Sequence, residues 1–308
     1  MCYDIYKIGF RPGTSEHSGE ISGIRRMRIR IGWRHSLIGE GEVYMVAEII
    51  SVGTELLLGD IVNTNAQYIS KELAKLGIDL YFQTTVGDNV ERVKIAIDQA
   101  CSRADLIIMT GGLGPTKDDL TKSAAAAYFG KKLVFHQQTY DHVKKRLDSY
   151  GIHQMTDSQK TQALVPEDSI AIMNPEGLAP GIIMSDGEKA ILLLPGPPKE
   201  MKALFEEAKK VFISRLTNRV IVSINIKCKG PDEMPLAEIG ESPIADLLGD
   251  ILDHENPTVA TYAKEDGVLI RVTASGKTRE EALQIMKPVV MQIADILKNK
   301  IAWVKEAD

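Results

Sequence analysis

The stretch Ala104 to Thr121, ADLIIMTGGLGPTKDDLT, restricts the fold of this chain more than any other, because an apolar strand runs into a glycine turn that opens on an acidic helix start. Ile107, Ile108 and Met109 form a short apolar run bounded by turn residues, the pattern of a strand buried on both faces. Gly111, Gly112 and Gly114 permit positive φ angles and close backbone approach, so main-chain N–H groups can converge on an oxyanion. Pro115 stiffens the turn and Thr116 adds a hydroxyl, and a helix start offers unpaired N–H groups and its positive dipole end to a phosphate. Capping cannot explain both Asp118 and Asp119. One caps the helix or complements its dipole, which leaves the other to hold a hard cation bridging phosphate oxygens. Lys117 is a mobile point charge for a phosphate or a surface partner of the two aspartates.

Three further turns follow buried strands. Ala47 to Asn65 reads as a strand, then Gly53, Thr54 and Glu55, then a loop closing at Asn63 to Asn65, with Asn63 as the cap of the next helix. Glu55 and Asp60 fall just beyond a strand's carboxyl end, where open α/β sheets place their ligands. Ile191 to Met201, ILLLPGPPKEM, ends its strand at Pro195-Gly196-Pro197-Pro198, and Gly196 lets the backbone approach whatever the Gly111 turn holds. Asn174 to Gly181, NPEGLAPG, adds another glycine and proline turn. Together they predict one shared crevice. His136, His142 and His153 lack a metal-ligand spacing with nearby acids and read as surface or capping residues.

From Met45 the pattern alternates strand and helix, with the glycine turn feeding a helix over residues 118–129 and a long helix over 198–216, which predicts a mostly parallel sheet with helices on both faces. After Asn218 the order becomes βαββαβ, a split βαβ pattern with Asp266-Gly267 turning the middle hairpin. The expected division is an extension over 1–44, an α/β domain over 45–216 and a smaller α+β domain over 217–308. The extension carries an Arg cluster from Arg25 to Arg34 but no hydrophobic period, and reads as disordered or as a start assigned too early.

With 308 residues, 44% hydrophobic and 26% charged, the chain can bury a core in two domains. A net charge of -5 provides no global field for nucleic acid, so DNA or RNA binding would need a local patch, and none is expected. No apolar run approaches the roughly 20 residues of a membrane span. Cys2, Cys101 and Cys228 are scattered without CxxC spacing, which predicts a reducing cytoplasm, with Cys101 as a small buried residue.

The string TGGLGPTKDDLT resembles the signature of the molybdopterin-binding (MoaB/MogA-like) fold, in the version carried by the N-terminal part of competence-damage-inducible CinA proteins. It is neither a P-loop nor a Rossmann fingerprint. MVAEIISVGTELL from Met45, NPEGLAPG, and NPTVATYAKEDGVLIRVTA in the second domain extend the resemblance. It implies a three-layer MoaB/MogA-like domain followed by a small α+β domain, and metal-dependent hydrolysis of ADP-ribose to AMP and ribose 5-phosphate. Asp118, Asp119 and Glu55 would then be catalytic, and Asp118, Asp119 and Asp60 would hold Mg²⁺, Mn²⁺ or Co²⁺. Gly53, Thr54, Gly111, Gly112, Gly114, Pro115, Thr116, Lys117, Gly181, Pro195, Gly196 and Pro197 would bind substrate. Many such proteins continue into a nicotinamide-nucleotide amidase domain for which this chain has no room, so amidase activity is not expected, and Ala237 to Ser242 lacks the family's aromatic lead-in. Two alternatives stay open: molybdenum-cofactor biosynthesis, and a non-catalytic interaction module in competence. Family members resemble dimers, which predicts a homo-oligomer.

Overall fold

The computed structural model describes residues 45–116, 119–229 and 240–307. The expected extension over 1–44, together with Lys117 and Asp118, lies outside the described residues. What is described falls into two compact units that divide between Asn218 and Arg219.

The first unit runs β1 (Val46–Val52), α1 (Thr54–Leu58), α2 (Thr64–Lys75), β2 (Asp79–Val86), α3 (Val90–Arg103), β3 (Leu106–Thr110), α4 (Thr121–Tyr128), β4 (Leu133–Phe135), α5 (Gln137–Ser149), α6 (Asp157–Lys160), β5 (Leu164–Pro166), β6 (Ile170–Ile172), β7 (Gly181–Ser185), β8 (Ala190–Leu194) and α7 (Pro198–Val211). Six strands make one sheet in the order β2-β1-β3-β8-β7-β6. The first four are parallel, and β7 and β6 add on antiparallel. Strands β4 and β5 pair separately.

Alternation along the central strands builds three layers. Ile49, Ile108 and Leu192 point to one face, where Ile69 and Leu73 of α2 and Leu204 and Phe205 of α7 cover them. Ile50, Ile107, Met109 and Leu193 point to the other, against Val93 and Ile97 of α3 and Ala124 of α4, with Cys101 buried in the same layer. Burial on both faces explains why these strands read as unbroken apolar runs. Two helix boundaries differ from expectation. Helix α4 begins at Thr121 rather than 118, because the Asp119 side chain ties back to the loop before it. Helix α7 ends at Val211, and a short 3₁₀ turn over Ile213–Arg215 follows.

The second unit runs β9 (Val220–Cys228), α8 (Glu241–Leu248), β10 (Thr258–Lys264), β11 (Gly267–Gly276), α9 (Arg279–Leu297) and β12 (Ile301–Glu306). Its sheet is antiparallel in the order β10-β11-β9-β12, the arrangement of a split βαβ unit. The hairpin turn is Glu265–Asp266, one residue earlier than expected, since Lys264 pairs with Gly267. Gly267 opens β11 at φ 122°, and the Cys228 carbonyl stands where a Cβ would go.

Candidate functional site

Strands β1, β3 and β8 end side by side, and the turns that leave them surround one crevice. It holds two adjoining cavities of about 540 and 320 Å³ that share Val52, Glu55, Gly196 and Pro197 as walls. Gly53, Gly111, Gly112, Gly114, Pro115, Asp119 and Pro195 line the larger one. Asn63, Thr64 and Asn65 at the start of α2 line the smaller, with Leu56, Ile61 and Val62 as apolar walls.

The glycine turn is built for close approach. Gly111 sits at φ 96° with its N–H on the Leu194 carbonyl at 3.0 Å, and a Cβ there would strike the Val52 carbonyl oxygen. A Cβ on Gly196 would lie 3.6 Å from the Gly111 Cα, so two glycines let the turns after β3 and β8 meet. Gly112, at φ 64°, has the Thr121 side chain against it.

Asp119 ties the glycine turn together and does not cap α4, whose N-cap Leu120 makes no side-chain cap hydrogen bond. The Asp119 Oδ1 accepts from the Gly114 amide at 2.7 Å, and its Oδ2 accepts from the Thr116 amide at 2.8 Å and the Thr116 hydroxyl at 2.6 Å. The Gly114 and Thr116 donors expected to hold phosphate are therefore already taken, and so is Gly111's. The amides of Gly112 and Leu113 have no acceptor among the described residues.

The other crevice acids are mostly engaged. Asp88 accepts from the Thr54 amide at 2.9 Å and its hydroxyl at 2.8 Å, which turns Thr54 from a phosphate contact into a partner of the next loop. Glu200 accepts from Asn174 Nδ2 at 2.7 Å, while Asn174 Oδ1 takes the Glu176 and Gly177 amides, shaping the NPEG turn. Glu176 pairs with Lys199 at 2.6 Å. Glu55 alone among these carboxylates has no hydrogen-bond or ion-pair partner within the described residues, and it folds over Gly53 and borders both cavities.

Other expected residues fall elsewhere. Asp60 is exposed and lines neither cavity, because the chain has turned outward after α1. Gly181 is buried inside β7 against Leu204 and Ile172, so its small size serves sheet packing. Among the described residues no three His, Cys, Asp or Glu side chains stand close enough to hold a metal ion, so the described part of the crevice contains no ready-made metal centre.

Sequence reasoning missed Asp88, Glu200, Gln162 and Lys122. Asp88 follows the end of β2 as Glu55 follows β1, so the strand-end rule could have found it. Gln162 is buried, and its Nε2 donates to the Leu113 carbonyl at 3.0 Å. Next to it, Thr161 O accepts from Lys122 Nζ at 2.9 Å. Burial lowers the Lys122 ammonium to about 8, against the opposing pull of Asp119. Those contacts join distant segments, and nothing local in sequence announces them.

A family model described as a probable molybdopterin binding domain matches residues 48–215, more than half the chain. The chain belongs to this family. A second model, the damage-inducible protein CinA KH domain, matches residues 233–301, which marks it as a CinA-type member. A competence-damage inducible protein of Clostridium beijerinckii is 46% identical over 260 residues, 83% of this chain and 61% of that protein. Its counterpart in Clostridium novyi is 48% identical over 257 residues, 82% and 59%. The CinA-type chain thus spans about three-fifths of the curated relatives it matches. A solved structure of the protein CinA, of unknown function, from Thermoplasma acidophilum is 36% identical with a TM-score of 0.52 and covers 55% of this chain and 99% of that one. The first unit has the MoaB/MogA-like fold, with the crevice at the carboxyl ends of its parallel strands.

Proposed function

We propose that the crevice hydrolyses the diphosphate bond of a nucleotide, with ADP-ribose as substrate and AMP and ribose 5-phosphate as products. One observation carries this reading: Glu55 is a carboxylate with no partner among the described residues, and it lines two cavities sized for a dinucleotide-like ligand. Water attacks one phosphorus and gives its proton to Glu55, the bridging P–O bond breaks, and the leaving phosphate takes the proton. The Gly112 and Leu113 amides and the first turn of α7 bind the phosphates and fix the line of attack. A divalent cation enters on the diphosphate as part of the substrate.

Phosphorus NMR of ADP-ribose incubated with the purified chain and Mg²⁺, Mn²⁺ or Co²⁺ tests the reading. AMP and ribose 5-phosphate are expected, with Glu55→Gln slowing turnover at least about 100-fold at little change in affinity. The family description and the apolar walls of the smaller cavity favour a second reading, pterin binding in cofactor synthesis. Tight pterin binding with no hydrolysis of any diphosphate would establish it in place of the first. We also propose self-association, supported by the exposed apolar run Leu57, Leu58, Ile61 and Val62; sedimentation velocity giving only monomer would refute it.

A further inference from the structure

We propose that the larger cavity of the crevice is a sugar site, in which Glu200 accepts hydroxyl groups of the terminal sugar of a nucleoside diphosphate sugar. This deepens the hydrolytic reading of the crevice and rests on it.

The walls of that cavity are acidic. Glu55, Asp88, Asp119, Glu176 and Glu200 line it, and among the described residues no Lys, Arg or His does. Of the five carboxylates only Glu176 is ion-paired among the described residues, with Lys199. Asp88, Asp119 and Glu200 take neutral donors instead, from Thr54, from Gly114 and Thr116, and from Asn174. Their charges repel a phosphate, whose place is at the Gly112 and Leu113 amides. A carboxylate is an acceptor only, so what these walls take up is a neutral group rich in O–H donors.

Glu200 is the carboxylate best fixed for this. Asn174 is fully buried and commits its whole amide to the NPEG turn: Oδ1 accepts the Glu176 and Gly177 amides, and Nδ2 donates to the Ala179 carbonyl at 2.9 Å and to Glu200 Oε2 at 2.7 Å. Glu200 Oε2 occupies the place that a Cβ on Gly177 would take, so the glycine makes room for it. One oxygen is thereby anchored, and Oε1 has no partner among the described residues. A side chain already held in one rotamer loses little entropy on binding. Two adjacent sugar hydroxyls can donate to Oε1 and to the remaining lone pair of Oε2.

Two neighbours complete the site. Gln162 lines the same cavity at 1% exposure, and while its Nε2 is used on the Leu113 carbonyl, its buried Oε1 has no donor among the described residues. A buried acceptor in that state costs stability, and a further sugar hydroxyl relieves it. Tyr150 also lines the cavity and is 57% exposed, with its hydroxyl held by Arg146 Nε at 3.0 Å. Its ring offers a flat face on which the C–H side of a sugar can rest. The base then falls to the smaller cavity, whose walls of Leu56, Ile61 and Val62 suit an aromatic ring.

Titration calorimetry with Mg²⁺ on the whole chain carrying Glu55→Gln separates binding from turnover. The ligands are ADP-ribose and the β-methyl ester of ADP, which has the same adenosine, diphosphate and net charge but no terminal sugar. ADP-ribose should bind at least about tenfold tighter than the ester. Adding Glu200→Gln, which still accepts from Asn174 but presents a donor to the cavity, should cut ADP-ribose affinity about tenfold and that of the ester less than about twofold. Tyr150→Ala should cut ADP-ribose affinity about threefold with the ester again unmoved, and being at an exposed position it tests the site by itself if the Glu200 variant unfolds. Equal affinities for the two ligands, no binding of either at about 1 mM, or a Glu200→Gln loss shared by both would overturn the proposal. Phosphorus NMR on the chain with Glu55 intact scores turnover separately. No hydrolysis alongside a sugar-dependent affinity would refute the catalytic reading and support the sugar site, whereas hydrolysis alongside equal affinities would refute the sugar site alone.

Discussion

The Asp119 carboxylate closes a ring with Gly114, accepting its amide at 2.7 Å while the second oxygen holds the amide and hydroxyl of Thr116. A residue with the sequence position of a metal ligand thus acts as the clasp of the glycine turn. Three donors that would otherwise splay toward water are drawn onto one side chain, and Gly112 and Leu113 are held in place beside the cavity.

Asp119→Ala should therefore lower stability by about 1–2 kcal/mol, the net worth of a few partly exposed hydrogen bonds, with Asp119→Asn intermediate. It should also weaken ADP-ribose binding about tenfold without any divalent ion present, because the turn loses its preorganised shape. Calorimetric titrations with and without Mg²⁺ decide the matter. If the loss appears only when the metal is added, Asp119 is a ligand and not a clasp.

Gly111→Ala should be more severe than any nearby surface change. Its φ of 96° strains an alanine, and the new methyl meets the Val52 carbonyl, which is rigid backbone in the central sheet. Destabilisation of more than about 2 kcal/mol is expected. Gly196→Ala, whose nearest neighbour is a Cα at 3.6 Å, should cost far less stability while narrowing the crevice. Urea titrations that give the two variants equal stabilities would contradict this order.

The central strands and the crevice were legible because their causes are local. The run Ile107 to Met109 is apolar since both faces are covered, and the glycines are glycines because the backbone turns back there. What escaped sequence reasoning depends on partners far along the chain. Thr54 has the chemistry of a phosphate contact, yet Asp88, 34 residues later, takes its amide and its hydroxyl. Asp60 shares the chemistry of Glu55 and follows the same strand, yet one further turn of chain carries it out of the crevice. Gly181 belonged to a genuine turn motif but sits one step inside the strand.

Lys122 gives the first unit a dependence on alkaline pH. Its folded pKa, near 8, lies below the ordinary lysine value of about 10.4, so between those values the unfolded chain holds a proton that the folded chain has released. Stability should accordingly rise with pH across that window, and Lys122→Met should flatten the rise. Denaturant melts at pH 8 and pH 10 measure it. A slope unchanged in the variant would mean that Lys122 keeps its charge on Thr161 O throughout.

Glu48 is fully buried in β1, and its charge survives there only through Arg103 and Thr84. Burial opposes the carboxylate, but the guanidinium, bidentate at 2.8 Å and stacked 3.7 Å over Phe82, outweighs it with the Thr84 hydroxyl and holds the Glu48 pKa below its ordinary value. The pair therefore stabilises the fold above the unfolded value of about 4.3, and that contribution is lost as pH falls through the lower folded value. Removing the cation should be worse than removing the charge. Arg103→Met strands a buried carboxylate and should cost more stability at pH 7 than Glu48→Gln, which keeps the shape and removes the charge. The gap between wild type and Glu48→Gln should narrow below pH of about 4.3 in urea melts, and a gap independent of pH would show that packing, not charge, is what Glu48 contributes.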